Sequence, residues 1–166
     1  MGPQGSGNIM SRNRQVLDSK ELEDLKNLFL ENIKAYSENV MCISNEIYIT
    51  NSWINYTETN QRHNLHNHPN SILSGCFYVD VESSQPSITF SRMSTPFVFN
   101  MTPTKFNSFN SAEWSVPVKN NMLLLFPSSC YHSVEVNYTP NKRISISFDT
   151  FIKGTVGTAG SDLHLK

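Results

Sequence analysis

Residues 143–148 read Arg-Ile-Ser-Ile-Ser-Phe, an alternation in which every second side chain is apolar. Side chains of a β-strand point alternately to its two faces, so this stretch predicts a strand with one packed face. The other face carries Arg143, Ser145 and Ser147, which in an ordinary half-covered strand would contact solvent. The alternative is that these three polar side chains line a ligand-binding cavity.

Short runs rich in branched and aromatic residues fill the chain after Val40, separated by Asn, Ser, Thr and Pro. They predict strands at residues 47–50, 72–80, 88–90, 97–100, 114–116, 122–126, 134–136 and 143–151. About eight short strands with turn signals between them are typical of a sandwich or jelly roll, so the protein is expected to be mainly β. In the second run, the small residues Ser74 and Cys76 share a face with Tyr78, which leaves room for a bound molecule.

One helical pattern precedes the strands. Apolar residues recur every three or four positions over residues 18–36, and Asp18 with Glu21 is a plausible start signal. This pattern predicts an amphipathic helix packed on the outside of a sheet. We expect a single domain over residues 18–152, a disordered or tag-derived N-terminus at 1–17 and a flexible glycine-containing tail at 153–166.

Composition excludes several classes of function. The 166 residues carry a net charge of −1, with 16% charged residues, so nothing favours binding to nucleic acid or to an anionic membrane. The three cysteines are odd in number and widely spaced, which argues against a disulfide framework and favours a reducing, cytoplasmic location. No apolar run approaches the roughly 20 residues that a membrane-spanning helix needs.

Three histidines predict a metal site. His66 and His68 lie two residues apart, so on an extended strand their imidazoles point to the same side. His132, from a distant strand, can complete one face of a metal ion and leave the other positions open, as a catalytic metal requires. Arg143 supplies a planar cation that can hold a carboxylate through two hydrogen bonds. Chance clustering remains the alternative, because three of the five histidines lie within residues 63–68.

Residues 66–79, 123–132 and 143–148 together resemble the Fe(II)- and 2-oxoglutarate-dependent oxygenases, especially a phage and bacterial, prolyl-hydroxylase-like branch. The resemblance covers roughly residues 53–151 and implies a double-stranded β-helix of the jelly-roll or cupin-like kind. It also implies roles for individual residues. His66 and His132 match the first and distal metal histidines, and Arg143 with Ser145 matches the pair that binds the far carboxylate of 2-oxoglutarate. Tyr78 resembles a strand tyrosine that donates to the same carboxylate, and Tyr56 is a weaker match near the metal end.

The chain departs from the family pattern at His68, where the family usually has Asp or Glu. A neutral imidazole removes one negative charge from the metal site. We predict that His68 is nevertheless a ligand. A water or substrate anion in place of the missing carboxylate, His63, and Glu58 on a loop that folds back are the alternatives.

The resemblance implies a hydroxylase with Fe(II) as cofactor and 2-oxoglutarate as cosubstrate. Such an enzyme uses molecular oxygen, converts 2-oxoglutarate to succinate and hydroxylates a substrate, here a peptide or a small molecule. Two alternatives stay open: a three-histidine cupin-type dioxygenase or isomerase without 2-oxoglutarate, and a non-catalytic β-sandwich binding module. The aromatic-containing segment 83–120 is a candidate lid or substrate rim. The oligomeric state, with a homodimer as one option, is left open, and a phage-encoded protein in the host cytoplasm would fit the branch.

Overall fold

The computed structural model describes residues 6–94, 99 and 101–165, and it is mainly β, with 40% strand and 16% helix. One α-helix, α1 (Glu23–Tyr36), follows two 3-10 turns at Val16–Asp18 and Lys20–Leu22, and a π-helical turn at Ser37–Met41 extends it. The strands are β1 (Ser6–Gly7), β2 (Ile9–Met10), β3 (Ile47–Thr57), β4 (Gln61–His66), β5 (Leu73–Asp80), β6 (Ile88–Ser91), β7 (Glu113–Val116), β8 (Leu123–Pro127), β9 (Tyr131–Val134), β10 (Arg143–Ile152), β11 (Gly154–Val156) and β12 (Leu163–Leu165). No helix within these residues is long and apolar enough to cross a membrane.

Two five-stranded sheets enclose a cavity. Sheet I has the order β1-β4-β9-β6-β7 and sheet II the order β2-β3-β10-β5-β8, while β11 and β12 form a separate hairpin. Apart from the parallel pairing of β1 with β4, neighbouring strands are antiparallel. Residues of both sheets line the same cavity. This arrangement agrees with the predicted jelly roll.

Strand β10 is the centre of sheet II, because it pairs with β3 on one side and β5 on the other. The apolar face of its alternating pattern, with Ile146 and Phe148, enters the hydrophobic core. In an ordinary half-covered strand the polar face would contact bulk solvent, but the polar face of β10 does not. Arg143 and Ser145 are only 3% and 5% exposed and lie against the cavity.

Helix α1 covers the side of sheet II that faces away from the cavity. Phe29 is fully buried and its ring stacks on Phe148, with centroids 5.1 Å apart and planes inclined by 23°. It also meets Phe77 of β5 at 5.3 Å. Gly75 of β5 lies directly against the Phe148 ring, so a Cβ at this position would collide with the ring. The helix and sheet II therefore share one tightly packed apolar core.

Several predicted boundaries differ from the structure. The helix begins at Glu23 rather than at residue 18, because the preceding residues form 3-10 turns. In the segment expected to be disordered or tag-derived, β1 pairs with β4, β2 pairs with β3, and Leu17 is buried. The tail carries the β11–β12 hairpin. Strand β4 was not predicted because its sequence is polar, and the strand predicted at 97–100 lies outside the described residues except for Phe99.

Candidate active site

Three imidazoles converge at one end of the cavity. His66 is the last residue of β4, and His132 lies directly opposite it on the neighbouring β9. His68 lies two residues after the end of β4, and its main-chain N–H donates to the carbonyl of Ser128 at 3.0 Å. The potential ligand atoms of the three rings all lie within 4.8 Å of one another, and the two Nε2 atoms of His68 and His132 are 3.4 Å apart. The predicted group of three histidines is therefore present, although β4 ends before His68.

The Nδ1 atom of every ring already has a partner. His66 Nδ1 donates to the carbonyl of Asn64 at 2.7 Å, and His132 Nδ1 donates to the carbonyl of Cys130 at 3.0 Å. His68 Nδ1 instead donates to a carboxylate oxygen, Asp149 Oδ1, at 2.7 Å. These bonds fix the tautomer with the proton on Nδ1 and leave each Nε2 lone pair available to a metal ion.

Burial favours the neutral form of two of these rings. It lowers the pKa of His132 to about 4, with the neighbouring imidazoles acting in the same direction and the bond to the Cys130 carbonyl opposing them. Burial also lowers the pKa of His66. Neutral imidazole is the form that binds metal ions, so near pH 7 these rings need not lose a proton before they bind one.

The two alternative ligands lie elsewhere. Glu58 forms an ion pair with Lys142 at 3.3 Å, and it does not join the histidine group. His63 lines the cavity but its Nε2 shares a hydrogen bond of 2.9 Å with Thr57 Oγ1. Burial, with a further contribution from Arg143, lowers the pKa of His63 to about 3. His63 is therefore a neutral cavity residue outside the three-histidine group.

The cavity itself measures about 540 Å³, a volume typical of small-molecule sites. Arg143 is buried at its wall, with Nη1 donating to the carbonyl of Pro86 and the guanidinium carbon 5.0 Å from the ring centroid of Tyr78. Among the described residues no carboxylate forms an ion pair with Arg143. A buried cation without a counter-ion is costly, so this wall of the cavity is prepared for an anion.

Tyr78 and Ser145 lie beside this cation. They are directly opposite each other on β5 and β10, and both line the cavity. The Tyr78 hydroxyl is buried without a hydrogen-bond partner in the described structure, and burial raises its pKa, so the phenol keeps its proton. A bound ligand with an acceptor atom would satisfy this donor.

Tyr56 is not brought to the cavity. On β3 the cavity-lining residues are Trp53 and Asn55, and alternation turns Tyr56 to the other face of sheet II.

The structure adds Asp149 and Trp53, which the sequence reasoning missed. Asp149 continues the odd-numbered polar face of β10, so extending the alternation by two residues could have found it. Trp53 stacks on His68 with centroids 5.9 Å apart, and no sequence pattern signalled that contact.

The aromatic segment predicted as a lid contributes little to this cavity. Of the described part of residues 83–120, Ile88 lines it. Arg92, Phe106 and Trp114 line a separate, open depression instead.

Comparison with known proteins identifies the family. The family model described as "Putative 2OG-Fe(II) oxygenase" matches residues 51–149, and comparison with curated proteins gives no match. Among solved structures, the chain is similar to the epimerase SnoN from nogalamycin biosynthesis, with 16% identity over 95% of this chain and 68% of that chain and a TM-score of 0.67. It is also similar to HygX from Streptomyces hygroscopicus, solved with nickel and 2-oxoglutarate, with 11% identity over 90% of this chain and 71% of that chain and a TM-score of 0.60.

A third similar structure is an oxidoreductase of the 2OG-Fe(II) oxygenase family from Burkholderia pseudomallei, with 12% identity over 86% of this chain and 66% of that chain and a TM-score of 0.61. The chain thus spans about two thirds of the length of these proteins, and the likeness to them shows a shared fold. The family match covers more than half of the sequence and includes all three histidines and Arg143. The chain belongs to the 2OG-Fe(II) oxygenase family.

Proposed function

We propose that this protein is a 2-oxoglutarate-dependent oxygenase that hydroxylates its substrate at an Fe(II) ion held by His66, His68 and His132. The observation that carries the proposal is the buried Arg143, which faces the same cavity as the three imidazoles and has no carboxylate partner among the described residues. A three-histidine metal site explains the imidazoles alone. A diacid cosubstrate explains both the imidazoles and the cation.

The histidine group fits a divalent iron ion. Three neutral nitrogen donors on one side of an ion suit first-row metals such as Fe(II) and leave positions for a chelating ligand and for oxygen. When bound, iron supplies the oxygen activation and the oxidative decarboxylation of 2-oxoglutarate. The protein's own task is to bind, to orient and to exclude bulk water.

Arg143, Tyr78 and Ser145 supply the grip on the far carboxylate of 2-oxoglutarate. The guanidinium offers charge-assisted donors, and the protonated Tyr78 hydroxyl offers a further one that has no other partner in the described structure. Ser145 adds a hydroxyl directly beside it. These groups stay dry when the cavity is filled, and their bonds to a carboxylate gain strength from the low local dielectric.

Polar side chains on the cavity wall indicate the kind of substrate that the cavity accepts. Asn8, Asn55, Asn64 and Asn67 line the cavity together with Trp53, which offers an aromatic face beside His68. Amide groups and an aromatic face suit an uncharged substrate rich in hydrogen-bonding groups, whether a small molecule or a peptide side chain. HygX has also been solved with hygromycin B bound, which supports a polar small molecule as the first class to screen.

Turnover of 2-oxoglutarate tests the proposal. Succinate is measured from the iron-loaded protein under air, for the wild type, for His132→Ala and for Tyr78→Phe. We expect succinate from the wild type, none above background from His132→Ala, and a raised KM for 2-oxoglutarate in Tyr78→Phe. Turnover by His132→Ala equal to that of the wild type would remove the metal assignment.

A three-histidine enzyme that does not use 2-oxoglutarate is the second candidate. It is favoured by His68, because the family pattern has a carboxylate there. Anaerobic addition of 2-oxoglutarate to the Fe(II)-loaded protein distinguishes the two, since chelation produces a weak visible absorption band. The non-catalytic binding module predicts that no stoichiometric divalent metal binds after iron loading.

The type of oxidation needs its own product analysis. SnoN is an epimerase and the similar SnoK a carbocyclase, so hydroxylation is one of several outcomes found on this fold. Mass spectrometry of the product gives a gain of one oxygen atom for hydroxylation and no mass change for epimerisation. The phage and prolyl-hydroxylase-like branch, the cytoplasmic location and a homodimer stay predictions from sequence.

A further inference from the structure

One ligand ring is held differently from the other two. His66 and His132 donate to main-chain carbonyls two residues earlier in the sequence, whereas His68 donates to a side-chain carboxylate from another strand. His68 is also the residue that stands where the family usually has a carboxylate ligand. We propose that Asp149 replaces that missing carboxylate from behind His68, as a positioning residue that orients the ring and returns negative charge to the metal centre.

Asp149 is placed for this role by its own contacts. Its Oδ1 accepts two hydrogen bonds, from His68 Nδ1 at 2.7 Å and from Ser74 Oγ at 2.9 Å. The side chains of His68 and Asp149 are only 10% and 15% exposed. Ser74 in turn bonds to Ser128 Oγ at 2.8 Å, and Ser128 bonds to Ser71 Oγ at 2.7 Å. A buried serine network therefore fixes the carboxylate, and the carboxylate fixes the ring.

The charge argument points the same way. A metal ion bound to His68 Nε2 would lie on the far side of the ring from Asp149, which bonds to Nδ1. A carboxylate bonded to Nδ1–H makes the opposite ring nitrogen a stronger donor. The main-chain carbonyls behind His66 and His132 carry no net charge. Asp149 is therefore the one charged group among the hydrogen-bond partners of the three Nδ1 atoms.

Direct coordination of the metal by Asp149 agrees less well with the observed hydrogen bonds than a position behind His68 does. Asp149 Oδ1 already accepts two hydrogen bonds, and the group of converging ligand atoms consists of the three histidines. A carboxylate bound to the metal would also leave His68 Nδ1 without its partner. The arrangement keeps Asp149 behind the imidazole.

Metal affinity, measured by calorimetric titration of Co(II) into the full chain, tests the inference. We expect Asp149→Asn to weaken binding by about 10- to 100-fold, the usual cost of removing such an outer partner. Ser74→Ala is the matched control, because it removes the other bond to the same oxygen but keeps the charge. We expect Ser74→Ala to weaken binding less than Asp149→Asn does, because the carboxylate then loses one partner but keeps its charge and its bond to His68.

Repeating the Asp149→Asn change in a His68 variant measures the coupling between His68 and Asp149. His68→Asp places a carboxylate directly at the metal, as in the family pattern, so adding Asp149→Asn to this variant should cost no affinity. A loss as large as in the wild-type background would show that Asp149 acts on the fold in general, and would overturn the proposal. Equal Co(II) affinity for the wild type and a folded Asp149→Asn would also overturn it.

A measurement on the wild type covers the case in which Asp149→Asn does not fold. The proton spectrum of the Zn(II)-loaded protein should contain a strongly downfield ring N–H resonance that is protected from exchange and is absent in His68→Asp. Its absence from the wild type refutes the bond between the two side chains. The inference rests on the metal site of the proposed function, but the two fail separately: a protein that binds Co(II) with the expected coupling but ignores 2-oxoglutarate loses only the proposed cosubstrate.

Discussion

Replacing Arg143 with methionine should separate folding from function. In the ligand-free protein this change removes a buried charge, whose desolvation costs several kcal/mol, and it also removes the bond to the Pro86 carbonyl and the contact with the Tyr78 ring. The lost bond contributes about 1.5 to 3 kcal/mol and the cation–π contact about 2 kcal/mol. These opposing contributions nearly cancel. We therefore expect the free energy of unfolding of Arg143→Met, measured with urea, to lie within about 2 kcal/mol of the wild type.

Binding of 2-oxoglutarate should respond very differently. Removing one partner of a buried charge pair costs about 2 to 5 kcal/mol, and each 1.4 kcal/mol is tenfold, so the affinity should fall by about 30-fold to about 4,000-fold. Calorimetric titration of 2-oxoglutarate into the Ni(II)-loaded protein measures this loss. Lys142→Met is the matched control, because Lys142 is the adjacent cation but has a side chain 60% exposed and paired with Glu58. An affinity for 2-oxoglutarate within about threefold of the wild type in Arg143→Met would refute the assignment of this cation.

Three further changes test the packing and the electrostatics. Phe29→Ala should lower the free energy of unfolding by about 3 to 5 kcal/mol, because the ring is fully buried against Phe148. Leu28→Ala, on the exposed side of α1, should lower it much less. Similar losses in the two variants would contradict the orientation of the helix. Gly75→Ala should lower the melting temperature through overpacking of about 1 to 3 kcal/mol, and an unchanged melting temperature would mean that the Phe148 ring can move aside. The folded-state pKa of His63 lies at about 3, below its ordinary value of 6.5, so the unfolded chain binds the proton more readily. The metal-free protein should therefore lose stability as pH falls from about 6.5 towards 3. His63 contributes at most about 1.4 kcal/mol per pH unit to this loss. Urea unfolding at pH 7.5 and pH 5 should show a smaller difference for His63→Asn than for the wild type, and equal differences would contradict a buried neutral His63.

Local patterns predicted those parts of the protein in which alternation coincides with burial. The strand at residues 143–151 was predicted because polar and apolar residues alternate, and the same alternation placed Arg143 and Ser145 on one face. Strand β4 was missed because Arg62 and Asn64 make it polar, and its pairing with β9 depends on tertiary contacts rather than on propensity.

The site could be predicted only where a single residue type carries the chemistry. The spacing of His66 and His68 indicated a pair of metal ligands, and the family resemblance added His132 as the distal ligand. The link between His68 and Asp149 joins residues far apart in the sequence, so it follows from the fold and not from a local pattern. Tyr56 lies outside the cavity lining for a related reason: a tyrosine near the motif does not reveal which face of β3 it occupies.

The N-terminal strands have a mechanical consequence. β1 belongs to sheet I and β2 to sheet II, with only Asn8 between them, and the Asn8 side chain donates to Asn55 at 2.8 Å. This short clasp resists separation of the two sheets along that edge. At the opposite edge, β7 and β8 are connected by the longer loop of residues 117–122. Breathing motions that widen the cavity should therefore start at the β7–β8 edge, while the β1–β2 edge stays closed.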